Sequence, residues 1–391
     1  MAGSHEPLRG KRVVFVFGSL DLGGAERRGL LLAEHLQKNV GAVVRVVGLN
    51  DTPGRLSALC DQLGIPWSGV SFHWGLRRRV ASFLRALRVI RRTRPDVVLS
   101  YTRVPNLVCA WGKRWLGAKL LVWNQADEGL LLNGSAAFRL AARAPDCFIS
   151  NSKGGSAFLI GTYGLPPEMV KVVPNGVAMS APRIGRDEWR RQWGVSSQVP
   201  VVGMVANLSV YKDHDTLIRA WGRVVAVGWE HPPVLVLAGR CDGTEQGLKN
   251  LAGELGISEL VKIVGGVDDV PGLLQALDLF AYSSKSEGIP NGVLEAMASG
   301  LGVVGTDIPG IREAVGTEGE AYLTPVGDGD AMAERIVALL RDEPSRRRLG
   351  QALRERAEQS FSLDLMCRSS VEIISDAFLG CLSKAAAVEN G

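Results

Sequence analysis

The chain has 391 residues, 46% of them hydrophobic and 22% charged, with a mean hydropathy of +0.10; this excludes disordered, collagenous and coiled-coil proteins. Single cores stop growing at roughly 250–300 residues, so the length predicts two domains. The net charge of +5 hides an asymmetry: residues 1–180 carry 24 Lys/Arg against 11 Asp/Glu (+13), and residues 181–391 carry 21 against 29 (−8). The first half is therefore expected to meet an anionic surface or substrate, with DNA and an anionic bilayer as the candidates.

Cys60, Cys109, Cys147, Cys241, Cys367 and Cys381 are too scattered for a zinc site or a redox pair, which fits a reducing compartment. The opening MAGSHEPLRGKR lacks the apolar core of a signal peptide, and no run approaches the roughly 18 apolar residues of a membrane span. A cytoplasmic location is expected, with the option of peripheral contact on the inner face of the membrane.

In chain order, short runs rich in Val, Ile and Leu at 13–17, 43–47, 97–100, 120–123, 147–150 and 170–173 alternate with helical patterns and predict buried parallel strands. The first leads through Gly18 into a turn with Gly23, Gly24 and Glu26 that opens a helix, where a ligand can approach the backbone. Gly24-Ala25 stands where a Walker A loop needs Lys and Ser/Thr, and the glycine spacing is not that of a dinucleotide fingerprint. The competing reading of these glycines is close helix–strand packing.

Arg77, Arg78, Arg79, Arg85, Arg88, Arg91, Arg92 and Arg94 have no acid among them, and Val80, Phe83, Leu84, Leu87 and Ile90 fall at helical spacing. A basic amphipathic helix follows. Its apolar stripe serves one surface only, either the sheet, with the arginines in water, or an anionic bilayer. If it packs on the sheet, membrane contact is electrostatic and helped by Trp111, Lys113, Arg114 and Trp115. No nucleic-acid module accompanies the charge, so no nucleic-acid partner is expected.

Pro174, Asn175, Gly176 and Val177 mark a turn and then a linker, with a hinge near 176–186. The strand rhythm returns at 201–205, 234–238, 261–264, 279–282, 302–305 and 321–324. The chain thus reads as two doubly wound α/β domains with parallel sheets, 1–180 and 181–362. Residues 363–391, with Leu363, Met366, Val371, Ile374 and Phe378 at helical spacing, are expected to form a helix that packs back towards the first domain.

The strongest site signal is Glu287-Gly288-Ile289-Pro290-Asn291-Gly292-Val293-Leu294-Glu295, just after the strand at 279–282. Pro290 and Gly292 mark a turn, Asn291 reads as the N-cap, and residues 294–298 continue a helix that Gly300 stops. A helix N-terminus holds phosphate, Glu295 one turn in reaches a sugar hydroxyl pair, and Glu287 faces whatever the phosphate carries. The alternative is an ordinary strand–turn–helix with solvated glutamates.

This run, followed by Val303-Val304-Gly305-Thr306-Asp307 and Gly310-Ile311-Arg312-Glu313, resembles the E-x7-E signature of retaining, nucleotide-sugar-dependent glycosyltransferases of the GT-B fold, the fourth glycosyltransferase family. Gly23-Gly24-Ala25-Glu26, Pro174-Asn175-Gly176-Val177, residues 208–212 and residues 269–280 fall in the family's order, over nearly the whole chain. The resemblance implies two Rossmann-like domains facing across a cleft. It also implies a donor site in the second domain, with Glu287 on the sugar hydroxyls, Glu295 on the ribose, and the backbone of the loop Gly288, Ile289, Pro290, Asn291 and Gly292, running on to Val293, near sugar and phosphate. Lys212 matches the family lysine on the diphosphate, where a cation stabilises the charge that develops as the glycosidic bond breaks. Gly23 and Gly24 are implied to lie near the donor phosphates.

The chain departs from the family pattern at Asn207, which stands where an arginine is usual and supplies neither charge nor a bidentate fork. Arg240, after the strand at 234–238, is the candidate to compensate. Gly302 stands where proline is common and predicts a more flexible turn. Many relatives place a histidine at the end of a first-domain strand; here Asn124, Gln125, Asp127 and Glu128 occupy that segment and no histidine lies between His73 and His214. Asp127 first, or else Glu128, is the candidate to orient the acceptor hydroxyl, with Gln125 or Asn124 binding sugar. The competing reading is a polar loop after a strand.

By family analogy, retention needs no protein nucleophile, because the leaving phosphate takes the acceptor proton on the same face. Asp213-His214-Asp215 and Asp328-Gly329-Asp330 spell a metal-binding D-x-D but read better as helix caps, and the five histidines are scattered, so neither metal nor cofactor is expected. The expected function is sugar transfer from a nucleotide-diphosphate sugar to a glycan or lipid-linked acceptor in cell-envelope or polysaccharide biosynthesis. The alternatives are a soluble small-molecule acceptor, a nucleotide-sugar-binding protein with lapsed catalysis, and a nicotinamide-dependent oxidoreductase, whose fingerprint is missing.

Overall fold

The structure, a computed structural model, describes residues 6–73, 75–129, 135–178 and 181–389; residues 179–180 of the linker read from the sequence lie outside them. The chain divides into two compact units, Met1–Asn175 with Asp364–Gly391, and Gly176–Leu363.

In the first unit the strands are β1 (Arg12–Phe17), β2 (Val43–Gly48), β3 (Trp67–Gly69), β4 (Val97–Tyr101), β5 (Leu120–Gln125), β6 (Cys147–Ser150) and β7 (Val170–Val172). They form one parallel sheet in the order β3-β2-β1-β4-β5-β6-β7. β1 is central, Val13 pairing with Val44 on one side and Val97 on the other. Helices cover both faces, which is why β4, β5 and β6 are buried along their whole length and read as continuous apolar runs.

The helix Leu76–Arg92 buries Ala86, Leu87 and Ile90. It packs on the helix Arg103–Leu116, where a Cβ on Gly112 would stand 2.1 Å from Leu87 Cδ2. Its apolar stripe is therefore divided: Phe83, Leu87 and Ile90 serve the core, whereas Val80 and Leu84 are left exposed; nothing is described for the side chains of Arg77 and Arg78. The helix Leu363–Glu389 belongs to this unit and buries Met366, Cys367, Val371, Ile374 and Phe378.

In the second unit β8 (Val201–Val205), β9 (Val234–Ala238), β10 (Val261–Gly265), β11 (Leu279–Tyr282), β12 (Val303–Thr306) and β13 (Leu323–Thr324) form a parallel sheet in the order β10-β9-β8-β11-β12-β13. Asp278 anchors its lower edge: it accepts from the Val201 amide at 2.7 Å and pairs with Arg186 and the buried Arg190. Burial alone would raise the Asp278 pKa, but these three donors outweigh it and hold the carboxyl below its usual value.

All twelve strands read from the sequence form, with ends within two residues of those expected. β3 follows Pro66 in a stretch without an apolar run and is not predicted. β13 is shortened because Glu320–Tyr322 forms a 3-10 turn, and β12 starts one residue late. Gly302 is no loose turn: a Cβ there would press within 3.3 Å of both Leu279 and Leu349, so the glycine is a packing residue.

Strand order reverses direction between β1 and β4 in the first unit and between β8 and β11 in the second. The carboxyl ends of such strand pairs open a crevice, the usual ligand site of a doubly wound sheet.

Candidate active site

The second unit's site grows from the two strand ends at its switch point. After β8 the chain runs through Asn207 to Lys212 before the helix His214–Ala226; after β11 it runs through Ser284 and Glu287 to the helix Asn291–Ala298. Lys212 Nζ donates to Glu287 Oε1 and, at 2.9 Å, to the Tyr282 hydroxyl. The Tyr282 hydroxyl lies 3.1 Å and Ser284 Oγ 3.0 Å from that same carboxylate oxygen. The ammonium also sits 5.5 Å from the Tyr282 ring centroid, over its face. The ion pair is largely buried, with side-chain exposures of 21% for Lys212 and 14% for Glu287. Burial, and next the Glu287 charge, pushes the Tyr282 pKa well above its usual value, so this hydroxyl stays protonated.

The loop is held from behind. Thr306, at the end of β12, donates to the Ser284 carbonyl at 2.9 Å, and the Ser284 amide lies 3.1 Å from the same hydroxyl. Two glycines permit backbone contact that no side chain would allow: a Cβ on Gly310 would lie 1.8 Å from the Gly288 carbonyl oxygen, and one on Gly292 2.3 Å from that of Val205. Ile289 and Val293 are buried in the core, so they offer a ligand at this loop only backbone, as Gly288 and Gly292 do. Pro290, whose ring fixes an extended entry, is the N-cap, and Asn291 is the first helical residue; this corrects the expected Asn291 cap. The first turn still presents amides with no intrahelical acceptor. Glu295 stands one turn in, half-buried, with its charge felt at Tyr282.

Asn207 is half-buried in the loop after β8. Arg240, in the loop after β9, forks onto Asp242 at 2.8 and 3.4 Å. Asp213 precedes the helix His214–Ala226 but makes no side-chain bond to its amides; it accepts from the Thr216 hydroxyl at 2.8 Å instead. Asp328 does cap, accepting from the Ala331 amide at 2.9 Å. His214 is buried with Nε2 lacking a partner; burial lowers its pKa to about 4, the Lys212 carbonyl opposing that shift.

In the first unit, Gly23 is the N-cap of the helix Gly24–His35 and Gly24 is exposed at its first position. The tight helix–strand contact falls on Gly29 instead, where a Cβ would stand 2.5 Å from the Phe17 ring. Thr102, directly after β4 at the switch point, adopts φ 66° and ψ 173°, a conformation costing a β-branched residue about 1–3 kcal/mol.

Asn124 and Gln125 are buried and spend their amides internally. Asn124 donates to the Ser100 carbonyl at 3.3 Å; Gln125 accepts from the Trp123 indole at 3.1 Å and donates to Asp127 at 3.0 Å. They support the loop, while Asp127 and Glu128 are half-exposed on it. Asp127 also accepts from the Gly129 amide at 2.6 Å.

Sequence reasoning missed Tyr282, Ser284 and Thr306 as partners of the glutamate. Their signal was faint: polar groups at the last position of, or just beyond, otherwise apolar strands. Among the described residues no group of three His, Cys, Asp or Glu is disposed to hold a metal ion, and no helix is long and apolar enough to cross a membrane.

Two doubly wound parallel sheets, the second carrying a lysine–glutamate cluster at its switch point, define a protein of the GT-B class. The chain matches the family model described as "Glycosyltransferase Family 4" over residues 22–180 and that described as "Glycosyl transferases group 1" over residues 185–356, which together take in most of it. It belongs to the group 1 glycosyltransferases, and is an enzyme family member of the GT4 type.

Among curated relatives, it is 28% identical to the lipopolysaccharide core biosynthesis glycosyltransferase LpsE of Rhizobium meliloti over 311 residues, 78% of this chain and 81% of that one. It is 30% identical to N-acetyl-alpha-D-glucosaminyl L-malate synthase of Bacillus anthracis over 173 residues, 44% of each, so that alignment spans less than half of the relative. The fold matches that of Anabaena Alr3699/HepE, solved in complex with UDP and glucose, with a TM-score of 0.82 at 23% identity, over 93% of this chain and 99% of that one.

Proposed function

We propose that the protein is a retaining, metal-independent glycosyltransferase that moves a sugar from a nucleotide-diphosphate sugar to a hydroxyl of a glycan or lipid-linked acceptor in cell-envelope or polysaccharide biosynthesis. The observation that carries this reading is the Lys212–Glu287 pair at the β8/β11 crevice, next to a helix start bearing Glu295. LpsE, named for lipopolysaccharide core biosynthesis, and HepE, bound to UDP and glucose, support the choice of acceptor class and donor.

In the proposed reaction the bond between the anomeric carbon and the phosphate oxygen breaks, and Lys212 offsets the negative charge gathering on the diphosphate. Glu287 and the loop amides orient the sugar, and Glu295 takes the ribose. The departing phosphate oxygen accepts the acceptor's hydroxyl proton on the face where the new carbon–oxygen bond forms, so configuration is kept. Asp127, turned by its bonds to Gln125 and Gly129, orients that hydroxyl.

The lipid-linked option draws support from the helices Leu76–Arg92 and Arg103–Leu116. Arg79, Arg85, Arg88, Arg91 and Arg92 lie exposed on the first, which leaves Val80 66% exposed; the second leaves Trp111 44% and Trp115 60% exposed. No acid lies between Asp61 and Asp96. Exposed cations and tryptophans on two packed helices suit an anionic bilayer, and we assign these residues to peripheral membrane contact.

Release of nucleoside diphosphate from UDP-, GDP- and ADP-sugars in EDTA, with water or added glycolipid as acceptor, tests the reaction. One donor should be consumed by the wild type and not by Lys212→Met. Tight binding with no turnover of any donor would favour lapsed catalysis, the reading that neutral Asn207 keeps open.

A further inference from the structure

The charge at the crevice does not balance for a diphosphate. Lys212 is matched by Glu287, Lys285 of the same loop lies 3.8 Å from Asp213, and Asn207 is neutral, whereas a nucleoside diphosphate brings about two to three negative charges. The neighbouring strand end holds a further cation. The loops after β8 and β9 run on as a pair: the Leu208 amide donates to the Arg240 carbonyl at 2.8 Å, and the Asp242 amide and Thr244 hydroxyl donate back to the Leu208 carbonyl at 3.0 and 2.8 Å. Gly239, with φ at 156°, brings the loops so close that a Cβ there would stand 1.9 Å from the Ala206 carbonyl oxygen and 2.9 Å from the Asn207 nitrogen. The Arg240 backbone is thus fixed beside Leu208, one residue from Asn207.

The Arg240 side chain is held differently. Its guanidinium forks onto Asp242, and the two side chains are 49% and 33% exposed, the kind of surface pair that solvent weakens and a better anion displaces. A planar fork also suits phosphate better than an ammonium does.

We propose that Arg240 is the second cation of the diphosphate subsite, and that Asp242 parks its guanidinium until nucleotide arrives. The proposal rests on the donor-site reading above, and it makes Asp242 a regulator of that site: a competing carboxylate that keeps affinity for the spent nucleotide down.

The test is titration calorimetry of UDP, GDP and ADP, each beside its monophosphate, against the wild type, Arg240→Gln and Asp242→Asn. Arg240→Gln should weaken the preferred diphosphate about tenfold and leave the matching monophosphate within roughly twofold. Asp242→Asn should tighten the diphosphate, roughly two- to fivefold. Wild-type diphosphate affinity in Arg240→Gln, or equal losses for mono- and diphosphate, would overturn the assignment of Arg240. Weaker diphosphate binding in Asp242→Asn would overturn the parking role. If no diphosphate binds the wild type, the donor-site reading itself falls and takes this proposal with it.

Discussion

Lys212 and Glu287 stand 75 positions apart in sequence and share a proton-rich contact at the carboxyl ends of β8 and β11, with the Tyr282 hydroxyl against both. Removing one member leaves the other charge largely buried and unmatched. Lys212→Met is expected to lower stability by about 2 kcal/mol and abolish transfer. The double variant Lys212→Met/Glu287→Gln should recover much of the stability and none of the activity. Urea unfolding of the two singles and the double checks this; additive losses would contradict the coupling.

Gly310 is where the helix Pro309–Gly319 meets the Glu287–Gly288 backbone, with no room for a methyl group. Gly310→Ala should displace the glutamate loop, costing about 2 kcal/mol or more and weakening donor binding tenfold or more. Gly247, in the helix Glu245–Glu254, is the matched control, because a methyl group added there would meet nothing within 4 Å. Gly247→Ala should stabilise by about 0.5–1 kcal/mol and leave donor binding unchanged, as thermal melts and titrations will report.

His214 gives the Lys212 loop a pH dependence. Its folded pKa of about 4 lies below the ordinary 6.5, so the unfolded chain binds the extra proton between those values. The stability this neutral histidine contributes is fully present above pH 6.5 and is lost as pH falls towards 4, about 3 kcal/mol over the window. His214→Gln should flatten the pH profile of unfolding in that range. A profile unchanged by the substitution would remove His214 as its source.

For the basic helix pair, sedimentation with phosphatidylcholine vesicles, plain or with about one-third phosphatidylglycerol, should show binding only to the anionic ones, fading with salt. Arg85→Glu/Arg88→Glu and Trp111→Ala/Trp115→Ala should each cut it severalfold while nucleotide binding persists. Equal binding to neutral vesicles would contradict an electrostatic contact.

Much of the fold was legible because doubly wound sheets bury both faces of their strands, so β1, β8 and β9 announce themselves as valine-rich runs. What failed to show has a common cause: close approach in three dimensions. Gly302 reads as a loose turn until Leu279 and Leu349 are seen pressing on it. Asn124 and Gln125 read as sugar ligands until their amides are found spent on Ser100, Trp123 and Asp127. Glu287 was visible in its motif, but its partners Tyr282 and Thr306 were not, since strand ends meet by topology rather than by sequence spacing. The basic helix was legible as a helix, yet only its packing at Gly112 and Leu87 shows which face is left outward.

The most direct test of a nucleotide-sugar site at the β8/β11 crevice is a thermal-shift panel of UDP, GDP, ADP and NAD on the wild type and Glu295→Ala. One nucleoside diphosphate should stabilise the wild type, by about 2.7 kcal/mol at 100 times its dissociation constant, and fail to stabilise Glu295→Ala. Stabilisation by NAD alone, or by a diphosphate equally in both proteins, would contradict the site.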